Sequence, residues 1–539
     1  MMETYRADAI IVGAGLAGIV TACELLDRGR KVLLIDKDRR ERFGGLAAES
    51  FGGVHFIGSP HQKRLRIKDS PELAWRDWER FACFGENDRW PRAWARLYCE
   101  HSIDYIFDFL QEKKVSFLPL VNWAERGLFQ PGNSVPRWHI AWGTGSEIIR
   151  RLFLALEAHP KRQNLQMVFD CEVNSIDLAG GRVTGVAGRQ MESGREFRAS
   201  GEVVIASGGM CGGDLGKVRA HWCRDWAAPP RVMLNGAHLY GDGLLHDKVS
   251  ELGGNVTHLD KQWHYAAGIH HPARRKPFDG LSLVPPRSAL WMNALGERIG
   301  PLPLIGYADT RWLVESIVGQ PGGYSWQVLN RKIAAKELAV SGSEYMSAFV
   351  KKSRRLLVKQ ALLGDRELVA RLLRECPEDF ISADSLSELV EKMNERSLFG
   401  LRVDAAAMER DITGYDETIE RGPAYFNDEQ LRRISNNRSY ISDRLRTCKF
   451  QKILDPGARP LIAIREFILS RKSLGGIQTD LRCRVLARNG APIEGLYAVG
   501  EAAGFGGGGI HGIRSLEGTF LGSCVLTGRV AGKTAAGGV

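Results

Sequence analysis

The chain has 539 residues, 44% of them hydrophobic, which is enough for a large core and roughly two to four domains. Its formal net charge of +11 is spread along the sequence and accompanies no nucleic-acid recognition motif, so it reads as a solvated surface. Ten scattered cysteines form no C-x-x-C pair, which excludes a disulfide framework and a zinc, haem or cluster pattern and predicts a reducing, cytoplasmic setting with no metal.

The N-terminus enters an apolar strand at once, without a charged leader and apolar h-region, which predicts no signal peptide. No apolar run approaches a membrane span, so no transmembrane segment is expected. The stretch from Ala9 to Asp36 then reads as strand, tight turn, helix and strand. Gly13, Gly15 and Gly18 form G-x-G-x-x-G: one glycine for the turn, one for approach of a pyrophosphate, one for helix–strand packing. Ala14, Leu16 and Ala17 complete the loop at the helix N-terminus, whose free N–H groups favour phosphate. Asp36 closes the second strand 18 residues after Gly18, where a carboxylate accepts ribose hydroxyls, and Lys37 follows it. The charge on Asp36 argues against a 2′-phosphate and leaves FAD or NAD.

Small residues dominate from Gly44 to Gly53 and let backbone lie against a ligand: Gly44, Gly45, Leu46, Ser50, Gly52 and Gly53 are candidates. Trp75, Trp78, Trp90 and Trp94 fall in helical spacing and read as packing residues. The loop-rich stretch to Gly145 holds His139 and Thr144, as much structural candidates as functional ones. A helix over 145–158, strands over 165–176, 182–188 and 202–207, and a helix over 244–252 follow. The strand ending at Ser207 runs into Gly208 and Gly209.

From about Gly253 to Ser442 the texture changes to alternating aromatic and polar residues and then charged helices, predicting an inserted α+β segment. Segments 345–363 and 385–395 read as surface helices. Sheet texture returns at Leu461, with a hairpin turning at Asn489-Gly490 and a buried strand over 496–499. Gly500, Glu501, a glycine run from Gly504 to Gly509 and a last amphipathic helix end the chain.

GAGLAG with Asp36, VVIASGG, GLYAVGEAAG and the terminal glycine-led helix together resemble flavoproteins of the fumarate reductase and 3-ketosteroid dehydrogenase superfamily. IKDSPELAWRDW, NSVPRWHIAWGTG, GFGGGGIHG and SLEGTFLG are similar to a bacterial group of FAD-binding dehydrogenases. The resemblance implies an α/β fold: a discontinuous Rossmann-like FAD-binding domain over 1–252 and 443–539, with an α+β cap over 253–442 for the substrate. It places Gly13, Gly15, Gly18 and Asp36 at the ADP half, the 44–53 loop beneath the flavin, and Val173 beside the adenine. Ser207 and Gly208 fall beside the ADP half, and Glu501 faces the ribityl or ribose region. Ser515 and Leu516, at the start of the final helix, match backbone donors near the flavin pyrimidine ring, where a helix N-terminus supplies positive partial charge.

Several positions depart from that pattern. Leu46 stands where members with covalent flavin carry histidine, which predicts non-covalent FAD. Arg471 and Lys472 fall where fumarate reductases have a histidine, Arg514 lies one position early for their arginine, and Ser515 takes its place. The C-terminal tyrosine of ketosteroid dehydrogenases is replaced by GGGGIHG.

Dehydrogenation of a C–C bond beside a carbonyl needs a base for the α proton, a donor that polarises the carbonyl, and a flavin to take hydride from the β carbon. The middle segment offers His264, Tyr265, His270, His271, Tyr307, Tyr324 and Trp326; the C-terminal part offers Lys472, His511 and Arg514. His511, Tyr265, Tyr324, Lys472 and Arg514 are the catalytic candidates. The expected function is an FAD-dependent dehydrogenase or reductase acting on a CH–CH group, with a small-molecule, ketosteroid-like substrate and an external electron acceptor. The alternatives are an enoate reductase for a small carboxylate and a flavin-binding subunit serving a partner. Oligomeric state stays open.

Overall fold

The computed structural model describes residues 2–300, 302–303, 306 and 308–535. It is a mixed helix/sheet chain that divides into two compact units. The first comprises Met1–Cys223, Ala237–Trp263 and Arg471–Val539; the second comprises Arg224–Gly236 and His264–Ser470.

The first unit begins with β1 (Glu3–Val12), α1 (Leu16–Asp27) and β2 (Val32–Ile35). The C-terminal half of β1 and all of β2 are buried on both faces, which suits unbroken apolar runs in a parallel sheet. A short helix α2 (Gly45–Glu49) leads to β3 (Gly53–His55). Two amphipathic helices follow, α3 (Pro71–Ala82), capped by Ser70, and α4 (Arg89–His101). Their buried stripes carry Trp78 and Trp94, two of the four tryptophans expected to pack there, while Trp75 and Trp90 are only half-buried. Next come β4 (Trp138–Ile140), antiparallel to β3, and α5 (Thr144–Glu157). Strands β5 (Leu165–Val168), β6 (Cys171–Ala179), β7 (Arg182–Gln190) and β8 (Glu196–Ile205) complete this part. The strand expected over 165–176 is two, broken at Asp170, whose φ is +55°.

The second unit is built on one sheet. Its strands are β9 (Gln262–His270), β10 (Gly280–Val284), β11 (Leu290–Asn293), β12 (Tyr324–Asn330) and β13 (Ala339–Val340). After helix α6 (Arg354–Leu363) come β14 (Phe380–Ala383) and β15 (Leu461–Ser473). The main order is β11-β12-β15-β9-β10-β13, and β14 pairs with β15 antiparallel. β15 is buried along nearly its whole length and is the spine of this sheet.

The chain then returns to the first unit through the hairpin β16 (Arg484–Leu486) and β17 (Pro492–Ala498) and ends on α7 (Thr519–Thr534), which packs on α1. The first sheet has the order β16-β17-β8-β1-β2-β5, with β17, β8, β1, β2 and β5 all parallel. The boundaries differ from the expected 253–442 insertion. The chain leaves the first unit inside β9 and re-enters it inside β15. Residues 443–470 belong with the second unit because β15 pairs with β12 and β14 from Leu461 onward. No described helix is long and apolar enough to cross a membrane.

Candidate active site

The N-terminal glycine loop sits at the carboxyl end of β1, where open α/β sheets bind ligands. Gly13 has φ +115°, and a Cβ there would lie 2.3 Å from Ala206 O. A Cβ on Gly18 would lie 2.0 Å from Gly13 O, so only glycine lets α1 close onto the loop. Gly15 differs: a Cβ there meets nothing within 4 Å. Gly208, at φ +79° beyond β8, likewise faces open space, and Ser207 precedes it half-buried. These two directions fit a pyrophosphate and nucleotide lying over the strand ends. Leu16 and Ala17 form the buried first turn of α1.

Asp36 holds the loop from below. One carboxylate oxygen accepts the Ala14 N–H at 2.5 Å and the other accepts the Asp38 N–H at 2.7 Å. Burial raises its pKa, against the pull of those two N–H groups. An ionised carboxylate has about four acceptor positions, so two bonds leave room for ribose hydroxyls. Lys37 is engaged by Glu172 at 2.7 Å and Asp242 at 3.2 Å. Val173 lies buried on β6 opposite Gly188.

The second glycine loop joins the first, a link the sequence does not display. Gly44 N donates to Ala14 O at 3.1 Å, and Gly44 bridges Gly15 in parallel. A Cβ on Gly45 would lie 3.5 Å from the Gly15 Cα. Leu46 lies half-buried on α2, and Ser50 Oγ donates to Ala47 O at 2.7 Å. Gly52 and Gly53 are small for protein neighbours: a Cβ would lie 2.5 Å from the Thr144 carbonyl carbon and 1.8 Å from Trp138 Nε1, respectively. His139 bonds Ser59 Oγ at 2.8 Å and is a buried structural histidine.

The C-terminal elements form a second cluster in the same unit. Glu501 accepts the Ser473 N–H at 3.0 Å; burial pushes its carboxyl up to about 7, against the pull of that N–H, Lys472 and Arg471. Ser473 Oγ in turn accepts the Met210 N–H at 2.9 Å. His511 is fully buried and stacks on Trp78, with centroids 5.7 Å apart and planes 9° from parallel. Phe505 and Phe520 lie 5.3 Å and 4.8 Å from it, and neither of its ring nitrogens has a hydrogen-bond partner among the described residues. Burial, and then the charge of Lys472, hold its pKa well below the ordinary value, so the ring is neutral.

Lys472 Nζ sits 3.9 Å over the Phe520 ring, and burial pulls its pKa down to about 8. Glu517 accepts Trp263 Nε1–H at 3.2 Å. Ser515 Oγ and Thr519 Oγ1 lie 3.0 Å apart, and Thr519 Oγ1 donates to the Leu516 carbonyl. α7 therefore starts at Thr519 rather than at Ser515, because Gly518 adopts φ +93° and cannot be helical. Arg514 extends its guanidinium to Cys83 Sγ at 3.7 Å.

Within the second unit, Tyr324 is 1% exposed and its hydroxyl accepts the Leu398 N–H at 3.2 Å, while Trp326, Phe399 and Phe467 surround its ring. Its environment is that of a packing residue. Tyr265 is half-buried on β9, and burial pulls the neighbouring His264 down to about 3. His270 bonds Asp379 at 2.9 Å, and His271 bonds Glu344 at 3.1 Å. His270, Glu378 and Asp379 have ligand atoms close enough for a metal, but Arg465 bonds Asp379 at 3.0 Å and Arg274 bonds Glu378, so guanidinium groups already balance the carboxylates. Tyr307 lies outside the described residues.

Sequence reading passed over His55, Ser473 and Glu517. His55 follows the small-residue loop directly, in GGVHF, which was the available signal. It is fully buried, 6.1 Å from Trp78 and 6.2 Å from Tyr98.

A parallel sheet with a glycine loop, a buried acid beneath it and open space over its strand ends defines a dinucleotide-binding protein. A family model described as FAD binding domain matches residues 8–521, and the chain belongs to that family. It is an FAD-dependent oxidoreductase of the kind that acts on CH–CH groups. A KsdD-like steroid dehydrogenase of Mycobacterium tuberculosis (strain CDC 1551 / Oshkosh) is 40% identical over 99% of this chain and 96% of its own. A solved 3-ketosteroid Δ1-dehydrogenase from Sterolibacterium denitrificans, in complex with 1,4-androstadiene-3,17-dione, matches with TM-score 0.71 at 16% identity, covering 99% of each chain. The open conformation of a flavocytochrome c3 fumarate reductase matches with TM-score 0.69 at 19% identity, covering 99% of this chain and 78% of the other. The two structural likenesses establish a shared fold.

Proposed function

We propose that the chain dehydrogenates a polycyclic, 3-ketosteroid-like ketone at a C–C bond next to the carbonyl. In this reading the first unit is the Rossmann-like FAD-binding domain and the second an inserted cap that sets the substrate. The observation that carries it is the aromatic cluster in the first unit. Trp78, Phe505 and Phe520 enclose neutral His511, and Lys472 lies over Phe520. Those walls suit an apolar substrate, and the 40% identity to a KsdD-like steroid dehydrogenase points the same way.

The roles follow from the protonation states. A neutral imidazole with one N–H polarises a ketone without surrendering its proton, so His511 is the electrophile. Lys472, pulled down by burial to about 8, has an appreciable neutral fraction near neutral pH and accepts the α proton. Bound FAD supplies the acceptor for the hydride from the β carbon. The product is the α,β-unsaturated ketone; the proton leaves on Lys472 and the electron pair passes to an external acceptor.

A small enoate is the second reading, favoured by two cationic residues, Arg471 and Lys472, in succession on β15 and by the fumarate reductase fold. The test is anaerobic bleaching of the flavin absorbance by candidate donors. Bleaching by 4-androstene-3,17-dione or a saturated 3-ketosteroid, with none by succinate, is expected. Turnover confined to fumarate-type acids would overturn the steroid reading.

A further inference from the structure

Helix α6 in the second unit has ten residues, and none of them is buried. It is nonetheless well anchored. Ser353 caps its N-terminus by accepting the Leu356 N–H, and Gln360 Nε2 bonds Ser347 Oγ at 3.1 Å and Asp365 Oδ2 at 2.7 Å. These ties leave two neighbouring i,i+4 rows facing outward: Arg354, Val358 and Leu362, and Arg355, Lys359 and Leu363. Val358, Leu362 and Leu363 are 58%, 69% and 66% exposed, and Val350, just upstream, is 55% exposed.

A single exposed leucine means little, but three large apolar side chains on the outward side of one short helix form a patch. The charged residues of the stretch itself have one sign, with Asp365 held by Gln360 just beyond its C-terminal end. Lys351, Lys352, Arg354, Arg355 and Lys359 fall in this stretch, and no acidic residue lies between Met346 and Gly364. Apolar side chains interleaved with cations match the boundary layer of an anionic bilayer, where leucines reach acyl chains and cations meet phosphate headgroups. A nucleic acid would satisfy the cations and leave the leucines in water. An apolar protein groove would bury the leucines and leave the cations unmatched.

We propose that α6 docks the protein reversibly on an anionic phospholipid surface, lying in the plane of the interface. The inference stands apart from the substrate assignment, since it concerns binding without turnover. The test is cosedimentation of the purified holoprotein with vesicles of phosphatidylglycerol and phosphatidylcholine, against vesicles of phosphatidylcholine alone. Binding to the anionic vesicles is expected, weakening as salt rises. Each cation removed, as in Lys351→Gln or Lys359→Gln, is expected to weaken it about fivefold. The double variant Leu362→Ser, Leu363→Ser should lose binding while keeping its flavin spectrum and thermal midpoint, because those side chains face solvent. No sedimentation with anionic vesicles at low salt would overturn the proposal. So would equal binding to neutral vesicles, undiminished binding by the leucine variant, or a wild-type oligomer that the leucine variant dissolves.

Discussion

Trp78 holds His511 in two ways. Its indole stacks on the imidazole with planes 9° apart, and its Nε1–H donates to the carbonyl of Ile510, the residue before His511, at 3.0 Å. One side chain on α3 thereby fixes both the ring and the backbone of a residue more than four hundred positions away. Removing the indole is expected to act on both. Trp78→Ala should destabilise the fold by about 3–5 kcal/mol through its cavity, whereas Trp78→Phe should keep the stack, lose one hydrogen bond and cost about 1 kcal/mol. Chemical denaturation of the two holoproteins checks the ranking. A milder effect of Trp78→Ala than of Trp78→Phe would show that the stack contributes nothing.

Lys472 gives the pH dependence. Burial favours its neutral form and brings its pKa down to about 8. If the neutral amine accepts the substrate proton, kcat/KM rises with pH and levels off above about 8. His511 stays neutral across this range and adds no limb, because burial already holds it well below its ordinary value. Lys472→Arg, which cannot deprotonate, should lose about 10²–10⁴ in rate and the alkaline rise together. His511→Ala should lose about 10²–10³ in kcat and keep the rise, and His511→Gln, which retains a donor, should recover part of the loss. A pH profile unchanged in Lys472→Arg would remove Lys472 from the base role.

Asp88 predicts how the first unit meets acid. Burial alone would raise its pKa, but the His258 imidazole at 2.6 Å, the Gly85 N–H at 2.8 Å and Lys261 outweigh it and hold it at about 2. A carboxylate depressed in the folded state contributes stability that is full above its unfolded pKa and vanishes as pH falls through the folded one. The window here runs from about 4 down to about 2, and the contribution is about 2 kcal/mol. Asp88→Asn should lose about that much at neutral pH, and its stability curve should converge with the wild-type curve at the acid end. Parallel curves across the whole range would place the stabilisation elsewhere.

The N-terminal half of the site was legible because each of its residues carries a local signature. Gly13, Gly15 and Gly18 lie within one turn, and Asp36 closes the next strand. What was hidden depends on contacts distant in sequence. Nothing in Gly44 announces its bond to Ala14, and Asp36 gives no local sign that its oxygens brace the loop. The unit boundaries were missed for another reason. β15 is buried on both faces from Leu461 to Ser470, its apolar run broken only by Arg465, Glu466 and Ser470, so it reads alike whichever unit it serves, and only its pairing with β12 decides. The start of α7 was set too early because Ser515–Leu516 continues the helical apolar spacing, and the left-handed Gly518 that stops it is one glycine among many. Tyr324 looked reactive among polar neighbours, yet the strand turns it into the core.

Gly15 and Gly18 separate cofactor binding from folding. A Cβ at Gly15 meets no protein atom within 4 Å, and its φ of −76° is ordinary for any residue. Gly15→Ala should therefore fold with nearly wild-type stability as apoprotein. The methyl would occupy the space assigned to the pyrophosphate, so FAD affinity should fall by at least tenfold. At Gly18 the Cβ would lie 2.0 Å from Gly13 O, a contact between backbone and helix that no rotamer relieves. Gly18→Ala should lose stability by several kcal/mol and lose flavin as a consequence. Both effects are read on one purification: flavin absorbance for occupancy, and thermal unfolding of apoprotein for the fold. The resemblance to flavoproteins with a covalent histidine link puts Leu46 at that histidine's place, and on that reading acid precipitation should leave the yellow colour in the supernatant. Gly15→Ala purified with full flavin and an unchanged dissociation constant would mean that the pyrophosphate does not pass over this loop.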